Sequence, residues 1–183
     1  MNTVKIDKKN CRMIAHRGVS GLEKENTCAA FVAAGVKTYY GIETDVHVTA
    51  DGEYFIFHDD NMKRIAGVDM DIERSTAEQL RAVRMPDTDG KTFRSDLVVP
   101  ALKDYISICG KYDKTAVLEL KNPMERKHVL NIAALVKDMG WLDRTIFISF
   151  AKENLVTLRE EYKDADLQFL TGEASAENFE FMK

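Results

Sequence analysis

The chain is poor in cysteine, has no excess of positive charge and contains no long apolar run. Its three cysteines, Cys11, Cys28 and Cys109, are odd in number and show no metal-type spacing. They read as reduced thiols of a cytoplasmic protein. Cys28, set among Ala29, Ala30 and Phe31, reads as a small buried apolar residue. With a net charge of −4 the chain lacks the basic footprint of a nucleic-acid-binding protein. A phosphate site is still open to it, because a few local cations outweigh a mildly acidic whole. No stretch approaches the ~18 apolar residues of a membrane span. Met1 to Arg12 carries charges but no apolar core segment, so it is not read as a secretory signal. A lipid-like substrate would therefore be met from water or in soluble form. Neither an internal repeat nor a low-complexity tract is present.

What is there is ordinary globular composition: 183 residues, 45% apolar and 31% charged. That is enough for one domain over residues 1–183 with a substantial core. Strand-like and helix-like runs alternate along it. Met13–His16 reads as a short buried strand. Asn26 or Thr27 caps a helix from Cys28 to Gly35, where the glycine serves as its C-terminal stop. Tyr40–Val48 is a second strand, a turn follows at Asp51-Gly52, and Glu53–Phe57 is a third. Only eight residues separate Asp45 from Tyr54, too few for a crossover helix. Either the chain returns in extended form or the two runs form a hairpin.

Regularity weakens over residues 61–97, read as an inserted excursion over the mouth of the site. Within it, Ser75-Thr76-Ala77-Glu78 resembles a capping signal for a short helix through Leu80 and Val83. Regular rhythm returns with a helix over Ala101–Cys109 closed by Gly110, a strand over Thr115–Leu120 and a helix over Lys127–Met139 ended by Gly140. A strand over Ile146–Phe150, a helix over Glu153–Tyr162 and a strand over Leu167–Leu170 follow. Such alternation predicts an α/β fold with a mainly parallel sheet.

The chemistry-bearing residues cluster where apolar runs end. Ile14-Ala15 leads into His16-Arg17-Gly18, Gly41-Ile42 into Glu43-Thr44-Asp45, and Tyr54–Phe57 into His58-Asp59. A fourth run, Ala116–Leu118, leads into Glu119-Leu120-Lys121. Residues two apart in a strand face the same way, so Glu43 pairs with Asp45 and Glu119 with Lys121. Three carboxylates at neighbouring strand ends repel one another unless a divalent cation lies between them, and oxygen ligands favour Mg²⁺ or Ca²⁺. His16 and His58 beside such a site suggest a general acid and base. Arg17 offers a forked donor to phosphate and Lys121 a point charge. His47 and His128 lack such company: His47 is expected on the opposite face or in a connector, His128 on a helix exterior.

The ordered set His16-Arg17-Gly18, Glu25-Asn26-Thr27, Glu43-Thr44-Asp45, His58-Asp59-Asp60 and Glu119-Leu120-Lys121 resembles the glycerophosphodiester phosphodiesterase family. The resemblance runs from about Met13 to Gly172. It implies a TIM-type barrel that hydrolyses glycerophosphodiesters to glycerol 3-phosphate and an alcohol. By position it implies Glu43, Asp45 and Glu119 as ligands of the divalent cation, and His16 and His58 as the acid–base pair. It further implies Arg17 and Lys121 as phosphate holders, and Asn26 as a residue that steadies the first loop or touches substrate. His16 is assigned to the attacking oxygen and His58 to the leaving alcohol. Whether water or the substrate's own glycerol hydroxyl attacks is left open.

Two departures accompany the resemblance. Lys24 stands where the family commonly has proline, and only six strand candidates are present, against the eight strands of a barrel of ~250 residues. The expectation is thus a barrel lacking its last two β/α units, whose open edges invite self-association. Competing readings are a shortened or inactive phosphate-binding remnant, and a related phospholipase acting on inositol or sphingosine lipids.

Overall fold

The computed structural model describes residues 9–182; the leader reading of the first twelve residues falls largely outside them. The sheet follows the order β1 (Ile14–Ala15), β2 (Gly41–Val48), β4 (Thr115–Leu120), β5 (Thr145–Ser149) and β6 (Asp166–Phe169), every neighbouring pair parallel. β3 (Tyr54–Ile56) instead pairs antiparallel with β2, placing Ile56 beside Val46 and Tyr54 beside Val48. The short connection thus makes a hairpin.

Register fixes where β3 runs. Ile42 is flanked by Ala15 and Ala116, and Val46 by Ile56 and Leu120. β4 therefore occupies one edge of β2, while β1 and β3 share the other from opposite directions. The sheet is of TIM-barrel type but open, ending at β6 on one side. β4 is buried throughout, as expected of a parallel strand covered on both faces.

Helices cover one face. α1 (Cys28–Gly35) begins at Thr27, whose hydroxyl accepts from the Ala30 N–H, and buries Ala30, Phe31 and Ala34. Gly35 does not stop it through a left-handed turn. It is the last helical residue, and a Cβ there would lie 2.5 Å from the Tyr112 ring. Within residues 61–97 stand α2 (Lys63–Ala66) and α3 (Ala77–Ala82). The capping box of α3 is Thr76 with Gln79, one residue later than Ser75 with Glu78.

α4 (Leu102–Lys111) runs through Gly110 rather than closing on it, and turns Leu102, Tyr105, Ile106 and Cys109 inward. α5 (Arg126–Asp138) buries Val129, Ile132, Ala133 and Val136, and the left-handed Gly140 follows its end. α6 (Lys152–Glu161) buries Leu155 and Leu158, and α7 (Ala176–Phe181) follows β6. Each large apolar side chain so buried contributes roughly 1.5–3 kcal/mol. One cluster joins α1, α4 and α5 to the sheet; a second, including Phe57, Met62, Ile72, Leu80 and Leu97, seats residues 61–97 against β3.

Candidate active site

Three carboxylates reach one point by strand geometry alone. Glu43 and Asp45 alternate with Thr44 in β2, and Asp45 stands directly opposite Glu119 in β4. All three are buried, and their oxygens come within 4.8 Å of one another. Burial and then the neighbouring Asp45 charge push Glu43 up to about 8, and the same causes raise Glu119. Lys121 sits over the pair, its Nζ 3.3 Å from Asp45 Oδ1 and 3.2 Å from Glu119 Oε1. The second contact is an ion pair without hydrogen-bond alignment, leaving Glu119 Oε1 buried with no donor. An orphaned carboxylate oxygen in an all-oxygen donor set fits a hard divalent cation.

The loop after β1 closes over these residues because it turns left-handed. Arg17 has φ 54° and Gly18 φ 76°; a Cβ on Gly18 would meet the Ala30 backbone at 2.7 Å. This turn brings the Arg17 N–H to Glu43 Oε2 at 2.9 Å. Arg17 Nη1 donates to Glu25 at 2.9 Å, while its Nε, 4.0 Å from Asp45, is buried without an acceptor. Asn26, also left-handed, donates its N–H to the Arg17 carbonyl and its side-chain amide to Asp45 Oδ2 at 2.8 Å. Its amide oxygen accepts from the Thr44 hydroxyl. Asn26 therefore steadies the loop and aims a carboxylate.

The two histidines arrive from opposite directions. β1 ends beside Ile42 and releases His16; β3 ends beside Val46 and, after Phe57 bonds the Asp45 carbonyl, releases His58. His16 Nε2 lies 3.8 Å from Glu43 Oε2. Partial burial and then the adjacent Arg17 lower its pKa, leaving the ring neutral at neutral pH. The charges of Asp45 and His58 also act on it, as expected of groups around one pocket. His58 Nδ1 lies 2.7 Å from Asp59 Oδ1.

Of the other two histidines, His47 departs from expectation and His128 lies on a helix, outside its buried face, as expected. His47 lies within β2 at the same parity as Glu43 and Asp45, fully buried, with Nδ1 3.0 Å from Glu73. His128 lies in the first turn of α5, half-buried, with Nδ1 3.2 Å from the Tyr54 hydroxyl. Sequence reasoning also gave no role to Asp59, Glu25 or Arg64, which form a continuous set of ion pairs around the site. The available signals were the acid directly following His58 and the place of Glu25 in the Glu25-Asn26-Thr27 segment; nothing marked Arg64.

The TIM-type α/β sheet thus gathers three acids, two histidines and an arginine around its strand β2. The chain belongs to the glycerophosphoryl diester phosphodiesterase family, whose model matches residues 16–180. It is similar to a glycerophosphodiester phosphodiesterase of Caldanaerobacter subterraneus, 29% identical over 84% of this chain and 62% of that protein. Bacillus subtilis YqiK is 31% identical over 79% of this chain and 60% of its own length. The chain thus spans about three fifths of these curated relatives. Among solved structures, an Oleispira antarctica phosphodiesterase in complex with the product sn-glycerol-3-phosphate superposes with a TM-score of 0.81 at 25% identity, covering 94% of this chain and 71% of that one. A Thermotoga maritima glycerophosphodiester phosphodiesterase gives 0.72 at 29% identity, covering 93% and 67%.

Proposed function

We propose that this site hydrolyses a glycerophosphodiester to glycerol 3-phosphate and an alcohol. The observation that carries the reading is a pair of orphaned buried atoms around Asp45. Arg17 Nε is a cationic donor without an acceptor, and Glu119 Oε1 is an anionic acceptor without a donor. A phosphate satisfies the first and a divalent cation the second. Family membership and the likeness to the product-bound Oleispira antarctica enzyme support the same reading.

Glu43, Asp45 and Glu119 would hold Mg²⁺ or Ca²⁺. When bound, such an ion withdraws charge from the phosphoryl oxygens as a Lewis acid. Arg17 binds a phosphate oxygen through the Nε it has free, and Lys121 adds a second positive charge beside it. His16, neutral at neutral pH, accepts the proton of the attacking oxygen as the new oxygen–phosphorus bond forms. His58 gives a proton to the alcohol oxygen as the old bond breaks. Asp59 accepts from Nδ1–H of His58 and stabilises the imidazolium, so the proton given to the alcohol is the one that this ring carries on Nε2. Asn26 holds Asp45 in place and has no substrate contact in this scheme.

No helix among the described residues is long and apolar enough to cross a membrane. The cysteines are unpaired, and on that ground we place the protein in the cytoplasm. A second reading, a phosphate-binding domain without turnover, draws on the open sheet.

Glycerophosphocholine with Mg²⁺ or Ca²⁺, coupled through a glycerol 3-phosphate dehydrogenase, tests the proposal. Turnover lost with a chelator and with His16→Ala supports it. A folded, cation-bound protein without turnover favours the second reading. Cyclic phosphate released from a phospholipid, with glycerophosphocholine untouched, favours a phospholipase.

A further inference from the structure

Arg64 lies in the short α2, whose Ile65 and Ala66 are buried in the second hydrophobic cluster. Its guanidinium faces back to the site and uses every nitrogen. Nε donates to Asp59 Oδ2 at 2.6 Å and Nη2 to Asp59 Oδ1 at 2.9 Å. Nη2 also reaches Glu25 Oε1 at 2.8 Å and Nη1 reaches Glu25 Oε2 at 3.2 Å. Each of these carboxylates holds one site residue: Asp59 holds His58 Nδ1, and Glu25 holds Arg17 Nη1. The unbroken path is His58–Asp59–Arg64–Glu25–Arg17.

We propose that Arg64 is a positioning residue that fixes the tautomer of His58 through Asp59 and, through Glu25, the placement of the Arg17 guanidinium. The proposal rests on the reading given under Proposed function.

An ionised carboxylate only accepts hydrogen bonds, so Asp59 keeps one His58 proton on Nδ1 and leaves Nε2 as the nitrogen that takes up and gives the second. Arg64's hydrogen bonds are the main reason the Asp59 carboxyl falls to about 2, but Asp59 is ionised at neutral pH without them, so what Arg64 adds is geometry. It locks the plane of that carboxylate, because two parallel bonds from a planar fork permit one orientation. Lysine, a point charge, supplies the charge without the plane. Surface ion pairs add little stability, on the order of 0–1 kcal/mol. The effect belongs to geometry, which is why substitution should cost activity more than folding.

The test uses Arg64→Gln and Arg64→Lys in the full chain, with thermal melts to show that both fold. Nitrogen-15 NMR of the imidazoles reads the His58 tautomer with or without turnover. At a pH where His58 carries one proton, the wild type should show it on Nδ1, and both variants should shift toward a mixture with Nε2 protonated. With glycerophosphocholine, kcat should fall about 10- to 100-fold in both, the range for losing a bond that orients an active group. KM should change less than kcat. Unchanged His58 shifts in Arg64→Gln, or full recovery by Arg64→Lys, would overturn the proposal. If the wild type cleaves no glycerophosphodiester, the functional reading fails by itself, and the NMR arm still decides whether Arg64 sets the tautomer.

Discussion

Asp45 and Glu119 face each other across β2 and β4, and Lys121 Nζ rests within 3.3 Å of both. Glu43 completes a buried group that resists ionisation, with its pKa raised from 4.5 to about 8. The sign follows from linkage. Between those values the folded, cation-free state keeps a proton that the unfolded state releases, so its stability falls as pH rises through the window. A divalent cation needs the deprotonated form and therefore removes this penalty. The gain in Tm from Mg²⁺ or Ca²⁺ should be small near pH 4.5 and grow toward pH 8. A gain that shrinks with rising pH would contradict a carboxylate cation site. Differential scanning fluorimetry across pH, with and without chelator, measures it.

Lys121 now stands between carboxylates, where a cation would also act. Lys121→Met should lower the stability of the chelated protein by about 1–3 kcal/mol, the cost of leaving buried acceptors unpaired. Added Ca²⁺ should recover most of that loss. Urea unfolding with chelator and with Ca²⁺ separates the two. A loss that Ca²⁺ leaves unchanged would mean that Lys121 acts through packing alone.

The acid cluster is legible in the sequence because it needs only the period of two along a strand and the pairing of adjacent strands. Glu43, Asp45 and Glu119 satisfy both. The same period shows that His47 shares their face, since 43, 45 and 47 have one parity; the continuity of β2 keeps it there rather than in a connector. The approach of His58 is not legible, because a strand of three residues says nothing of its direction. The antiparallel register of β3 settles it. The Arg64 contacts are further out of reach: Glu25 lies 39 residues away in sequence, and the contact depends on how α2 is seated on its cluster. Gly35 and Gly110 depart from expectation for a related reason. Glycine marks both helix ends and close approaches, and only the Tyr112 ring tells which applies at Gly35.

Asn26 offers a test of orientation apart from charge. It is buried, accepts from Thr44 and donates to Asp45. Asn26→Gly keeps the left-handed backbone free of strain but deletes both side-chain bonds. Stability should fall by about 1–3 kcal/mol as those partners lose their bonds. Affinity for the divalent cation should weaken about tenfold, as for loss of a group that aims a ligand. Isothermal titration with Ca²⁺ reads the second effect. Unchanged affinity would show that Asp45 holds its position without Asn26.

Gly35 sets two known effects against each other. In an exposed helix, Gly→Ala gains roughly 0.5–1 kcal/mol because glycine has more freedom to lose. Here the new methyl would lie 2.5 Å from the Tyr112 ring, at ring atoms next to the backbone rather than at a flexible tip. Overpacking of this kind costs about 1–3 kcal/mol. The clash should win, so Gly35→Ala should lower Tm. Tyr112→Ala alone removes a contact and should also destabilise. In the double variant the methyl occupies part of the space left by the ring, so the combined loss should be smaller than the sum of the single losses. Strict additivity would show that Tyr112 yields freely and that the close approach at Gly35 is not what requires glycine. Cation affinity should be unchanged in all three, since Gly35 ends α1 while the acid cluster is held from its N-terminal side by Asn26 and the Arg17 loop.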